Sequence, residues 1–234
     1  MDSVIHAGWN APFLGGLLSI ILIDILLSGD NSIVIALAVQ TLPPEKRRLG
    51  LFTGAGAAAL MRVAFTFVAT RLMGVPYLKL VGGLLILWIA IKLLSENEDP
   101  NPKHKQGRSL FHAIWIITVA DLTMSLDNVL AVAGASKGSL LLLWLGLGLS
   151  IPLVVFASSV LSGLMERFPL IVVLGSAVLG KVGAELIVND PVVFKHVEFI
   201  PHVHWISDIL GVGLILLAAA WYTRKRKKSK KREA

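Results

Sequence analysis

The amino-acid sequence predicts an all-α, polytopic membrane protein with seven transmembrane helices, arranged as two inverted three-helix repeats plus a C-terminal helix. Three observations carry that expectation. Of the 234 residues, 55% are hydrophobic and only 16% charged, and mean hydropathy is +0.76; soluble domains carry about 25% charge. Seven apolar stretches are long enough to cross a hydrocarbon layer of about 30 Å. One acidic motif occurs in both the first and the fourth of them. The balance excludes a disordered chain and fits a water-soluble enzyme or nucleic-acid-binding domain poorly. The whole chain, 1–234, is expected to form a single membrane domain.

The spans fall near 12–40, 50–71, 76–94, 110–135, 139–163, 168–188 and 205–223. Breakers separate them in order: Pro43-Pro44, Gly74 with Pro76, Pro100 with Pro102, Lys137-Gly138, Pro169, then Pro191 with Pro201. Helices follow because lipid offers no partner to unpaired backbone, and the stretches are too long for barrel strands. Repeat one covers 12–94, repeat two 110–188, and a basic cytoplasmic tail, 224–234, follows the final helix. With the odd-numbered loops and the tail inside, 15 of 22 Lys/Arg are cytoplasmic, including eight between Arg224 and Arg232. Arg71, Lys137 and Lys195 lie opposite. This asymmetry puts the N-terminus outside and the C-terminus inside, in the cell membrane. The tail explains the net charge of +7 without nucleic acid, as an anchor against anionic lipid. Trp9, Trp115, Trp144, Trp205 and Trp221 fall near span ends, as interfacial rings do. Met1 to Asn10 shows no basic segment or cleavage site, so no cleavable signal is expected.

The repeat rests on DILLSGDNSIVIALA (24–38) and DLTMSLDNVLAVAGA (121–135), which share Asp-x-x-x-Ser-x-Asp-Asn and six of fifteen positions. Chance recurrence of the four specified residues is about one in a thousand. A weaker echo pairs 80–92 with 173–185. Three spans per repeat is odd, so the second repeat runs upside down, the arrangement of secondary transporters with a midplane site. Each Asp at a helix centre costs about 2.5–3.5 kcal/mol on insertion scales, so such acids face a cavity, an ion path or a basic partner.

Asp24, Ser28 and Asn31 share one helical face, as do Asp121, Ser125 and Asn128. Asp30 and Asp127 lie about 120° away on an ideal helix, and unwinding beside Gly29 would swing Asp30 back. Leu126 holds the place of Gly29 in the second motif, so the sequence gives the fourth span no matching reason to unwind. Asp24 and Asp121 are expected to meet near the middle, with Asp30 toward the cytoplasm and Asp127 toward the outside.

These motifs, Ser28-Gly-Asp-Asn31 and Ser125-Leu-Asp-Asn128, resemble those of the TerC family of integral membrane proteins, especially its shorter YjbE-type branch. The resemblance covers roughly residues 10–190. It implies a seven-helix fold related to the lysine-exporter superfamily and, for several members, manganese efflux; other members are linked to tellurium resistance. It assigns the matching positions Asp24, Asp30, Asn31, Asp121, Asp127 and Asn128.

Carboxylate and amide oxygens without thiols suit hard divalent cations such as Mn²⁺, Mg²⁺ or Ca²⁺, and the chain has no cysteine. The expected ligands are those same four Asp and two Asn, with Ser28 and Ser125 in support. Arg62, central in the second span, is expected to pair with a motif carboxylate when the site is empty. Lys92 is expected to snorkel, and Glu185, one turn from Lys181, is a further candidate. Arg62, Lys92 and Lys181 face five acids including Glu185, a deficit of two that one divalent cation would fill. His196, Glu198, His202 and His204 form a possible metal-collecting patch in the loop 189–205. Glycines 54, 56, 82, 83, 146 and 148 are expected at close helix contacts. No P-loop, nucleophile–base pair or HExxH motif is present, so neither ATP drive nor an enzyme is expected. No prosthetic group is expected; the metal is cargo. The reading is a secondary exporter of a divalent cation, Mn²⁺ by resemblance, with proton coupling as the drive. The rivals are a non-transporting membrane stress-response assembly protein and an exporter of another small cation. Nothing in the sequence sets the oligomeric state.

Overall fold

In the computed structural model the described residues are 11–27, 29–72, 75–98, 109–125, 128–136 and 139–233. The side chains at 11–12, 23–27, 67–72, 97–98, 128–130, 133, 140, 143 and 225–233 also lie outside the description. Every described element is a helix: α1 (Ala11–Leu27), α2 (Gly29–Gln40), α3 (Pro44–Leu72), α4 (Leu78–Glu98), α5 (Leu110–Met124), α6 (Asn128–Ser136), α7 (Leu140–Arg167), α8 (Leu170–Val188), α9 (Pro191–Val197) and α10 (Val203–Glu233). Five contain segments long and apolar enough to cross a bilayer: Pro44–Thr66, Leu78–Glu96, Trp144–Arg167, Leu170–Val188 and Val203–Arg224.

α1 and α2 flank Ser28, which lies outside the described residues, while the fourth apolar stretch holds two helices: α5 ends at Met124 and α6 begins at Asn128. The fourth stretch thus stops at Met124 although Leu126, outside the described residues, offers no glycine-like reason for it. Ser125 caps α5, its N–H donating to Asp121 O at 2.8 Å, so the stop needs no glycine. Other ends follow local rules. Ser109 and Ser139 accept N–H bonds from Phe111 and Leu142 at the starts of α5 and α7. Pro43-Pro44 opens α3 six residues earlier than the apolar stretch suggests, and Pro152 sits inside α7, where it removes one backbone bond. The helix α9 occupies part of the loop expected at 189–205, and α10 continues through the basic tail to Glu233.

The helices pack in two groups. α8 lies against both α4 and α10; α3 packs on α5 and α7, and α7 takes α1 and α2 on its other faces. The core runs through both groups and includes Ile35, Leu37, Ile86, Ile89, Ile117, Leu179 and Ile215. Small residues set the closest approaches. A Cβ on Gly183 would stand 2.9 Å from the carbonyl oxygen of Gly83, and one on Gly180 2.6 Å from that of Gly211. Gly54, Gly82, Gly83 and Gly146 meet neighbouring helices as expected, whereas Gly56 and Gly148 face open space; their small size is not required by packing. Arg47 at the start of α3 pairs with Glu166 at the end of α7, and Gln40 Nε2 donates to Ser162 Oγ at 2.9 Å, fastening α2 to α7. Large apolar side chains such as Phe156, Leu170, Leu210 and Leu217 point outward, as lipid-facing positions do.

Candidate functional site

The second motif sits where a helix stops. There the last turn of α5 carries Asp121, which is 5% exposed, and its cap Ser125, which is fully buried. The end of a helix bears partial negative charge, so α5 adds to the field of Asp121 rather than relieving it. Two groups answer that field. Ser125 Oγ donates to Asp121 Oδ2 at 3.4 Å, turned toward the carboxylate instead of back along its own helix. Arg62 Nη2, from the middle of α3, pairs with Asp121 Oδ1, and both side chains are almost wholly buried. Removing one partner of such a pair typically costs about 3–5 kcal/mol, because the other charge is left in a medium that cannot solvate it.

At the first motif, Asp30 stands in the first turn of α2, where a helix N-terminus favours a negative charge. Its Oδ1 accepts the backbone N–H of Asn31 at 2.9 Å. The Asp30 carboxyl lies within electrostatic range of Asp121 and Arg62, which puts it in the neighbourhood of the second motif. Asn31 is 2% exposed, and both its Oδ1 and its Nδ2 are buried without a hydrogen-bond partner among the described residues. Such orphaned atoms cost about 1–3 kcal/mol each, which marks Asn31 as a residue kept for something other than stability. Beside the pair lies a cavity of about 20 Å³, lined by Ile35 of α2, Ala55 and Ala58 of α3, Asp121 of α5, and Leu147 and Ser150 of α7, with Arg62 in its wall. That is room for one water-sized occupant.

The model of the integral membrane protein TerC family matches residues 9–228. The chain belongs to the TerC family. Among its relatives, the uncharacterized membrane protein YjbE of Bacillus subtilis (strain 168) is 38% identical over 92% of this chain and 98% of its own length. YkoY of the same organism is 24% identical over 96% of this chain and 75% of its own. The UPF0053 inner membrane protein YgdQ of Escherichia coli (strain K12) is 27% identical over 72% and 78%. No solved structure matches. With the apolar helices, family membership makes this TerC-family chain an integral, multi-pass membrane protein.

Of the residues expected at the site, the structure brings together Asp30, Asn31, Arg62, Asp121 and Ser125. Asp24 lies on α1 and Asn128 opens α6, with side chains outside the description; Ser28 and Asp127 lie outside the described residues. Two supporting candidates stand elsewhere. Lys92 Nζ lies 4.7 Å over the ring of Trp88, one turn back on α4. Glu185 belongs to a separate cluster: Lys181 Nζ is 3.4 Å from its Oε2 and 3.5 Å from Asp208 Oδ2 of α10. The deficit of two charges expected from pooling these groups with the motifs is therefore not gathered in one place. The outer histidines do not converge either. His196 Nδ1 is 2.7 Å from Val192 O, and His204 stacks on Phe194; among the described residues no three His, Asp or Glu could hold a metal ion.

Sequence reasoning passed over Ser150 and the alanines at 55 and 58. Their signal was present as the small-residue run Gly54 to Ala59, which leaves the space into which Arg62 and Asp121 project.

Proposed function

We propose that this TerC-family protein is a secondary transporter that exports a divalent cation, Mn²⁺ by family resemblance, across the cell membrane. The site is built from the paired motifs: Asp24, Asp30 and Asn31 from the first, Asp121, Asp127 and Asn128 from the second, with Ser28 and Ser125 in support. One observation carries the reading: Asn31 is buried with both polar atoms unpartnered among the described residues, next to Asp30 and on the helix whose Ile35 lines the small cavity at Asp121, where α5 ends. Interrupted helices at membrane depth are tolerated where they line a cavity, and they recur at the substrate sites of transporters. Amide and carboxylate oxygens there are ligands for a hard cation. The pairings of α1 and α2 with α7, of α5 with α3, and of α4 with α8 support two inverted repeats related across the centre. The Lys/Arg asymmetry supports an N-terminus outside and a C-terminus inside.

The Arg62–Asp121 pair favours one rival. A non-transporting assembly protein would neutralise its buried acids in this way, without leaving Asn31 unsatisfied. Purified protein in liposomes with Mn²⁺ on one side separates the two. The export reading expects flux that Asp30→Asn abolishes while the variant still inserts. Flux indistinguishable from protein-free liposomes overturns it.

A further inference from the structure

We propose that Arg62 is the resident counter-cation of the site, holding Asp121 while no metal is bound and yielding that carboxylate to the incoming ion. The inference rests on the transport reading above and adds how the empty protein returns. Three observations carry it. Arg62 and Asp121 are both almost fully buried and directly paired, so neither is a surface charge screened by water. The cavity borders this pair, so an occupant and the guanidinium compete for one carboxylate. Asn31, whose polar atoms have no partner among the described residues, waits on the neighbouring helix.

A divalent ion that takes Oδ1 of Asp121 displaces Arg62 Nη2, which is paired there. The released guanidinium has a second acid in range, since Asp30 already feels its charge. When the ion leaves, Arg62 closes on Asp121 again. The unloaded site then reorients without a bare charge at Asp121.

The two halves of the cycle can be read separately. Purified full-length protein in liposomes is assayed for ⁵⁴Mn²⁺ exchange with Mn²⁺ on both sides, and for net flux with Mn²⁺ on one side. Equilibrium Mn²⁺ binding is measured in detergent. Arg62→Gln removes the competitor, so binding should tighten by about tenfold, within the range of coupling between sites. Exchange should persist, because the loaded protein still reorients, whereas net flux should fall by about tenfold or more. Arg62→Lys keeps a charge without the planar fork and should restore part of the net flux. A folded Arg62→Gln protein that loses exchange and net flux together, or keeps both, overturns the proposal. Should Arg62→Gln fail to insert, Arg62→Lys decides alone: an exchange-to-net ratio equal to wild type overturns it, and a raised ratio with tighter binding supports it. Wild-type protein with no exchange at all overturns the transport reading, and this inference falls with it.

Discussion

Asn31 and Asp121 are both buried but differ in how their polar atoms are satisfied. Asp121 is answered by Arg62 and Ser125, while Asn31 has neither of its polar atoms satisfied among the described residues. Burying an amide in this way costs about 1–3 kcal/mol per orphaned atom, so replacement by an apolar side chain of similar volume should relieve the fold. Asn31→Leu is therefore expected to raise or leave unchanged the midpoint of thermal unfolding in detergent while reducing Mn²⁺ flux at least tenfold, a loss of about 1.4 kcal/mol. Full flux in a stabilised variant would remove Asn31 from the ion path. Asp121→Ala has the reverse signature: Arg62 is left without that carboxylate in a buried setting, and stability should drop by about 3–5 kcal/mol. Residue identities at the site were legible because acids in an apolar span carry an energetic cost that demands a reason. Their pairings were legible in part: Arg62 could be expected to find a carboxylate because it sits centrally in its span, but which one depends on how α3 packs on α5.

Helix breaks are where local sequence said least. Unwinding was expected beside Gly29, a residue with low helix preference, and the adjoining Ser28 lies outside the described residues. The end of α5 has no such marker. Ser125 at its C-cap keeps the i→i−4 bond to Asp121 O and turns its hydroxyl toward the Asp121 carboxylate, a pairing that the sequence pattern alone does not show. The final span, expected at 205–223, matches the apolar segment Val203–Arg224, and α10 runs on through the basic tail because lysine and arginine are good helix formers. Close helix contacts depend equally on tertiary context. Gly180 and Gly211 face each other across α8 and α10, and Gly83 faces Gly183 across α4 and α8. Without a hydrophobic force between helices in lipid, such approaches supply much of the packing. Gly180→Ala and Gly183→Ala should each lower stability by about 1–3 kcal/mol through overpacking. Gly56→Ala, in open space on α3, should gain up to about 1 kcal/mol from helix preference. Thermal unfolding of the three variants in one detergent checks the contrast, and equal shifts would mean that the small residues do not set these distances.

At the scale of the whole molecule, export of a divalent cation meets the membrane potential. Moving two charges outward against an inside-negative potential costs about 4.6 kcal/mol per 100 mV, so the proposed direction requires a coupled ion. The chain carries no P-loop, which leaves an ion gradient as the source. Protons are the natural choice because the groups that release metal are carboxylates, which bind a proton once the metal has gone. Arg62 limits how many are needed, since Asp121 has its own cation when empty. In everted membrane vesicles, whose lumen corresponds to the outside of the cell, an acidic lumen should drive Mn²⁺ inward as protons leave. Dissipating the pH difference with an ionophore that leaves the voltage intact should slow that uptake at least severalfold. Asp30→Asn, which removes a proposed ligand, should abolish uptake with or without the pH difference, whereas Gly56→Ala should retain both uptake and its response to pH. Uptake that ignores the pH difference but follows a sodium or potassium gradient would keep the exporter and change its driving ion. Uptake that ignores every gradient would mean that the potential is never opposed, and the direction of transport would then have to be inward.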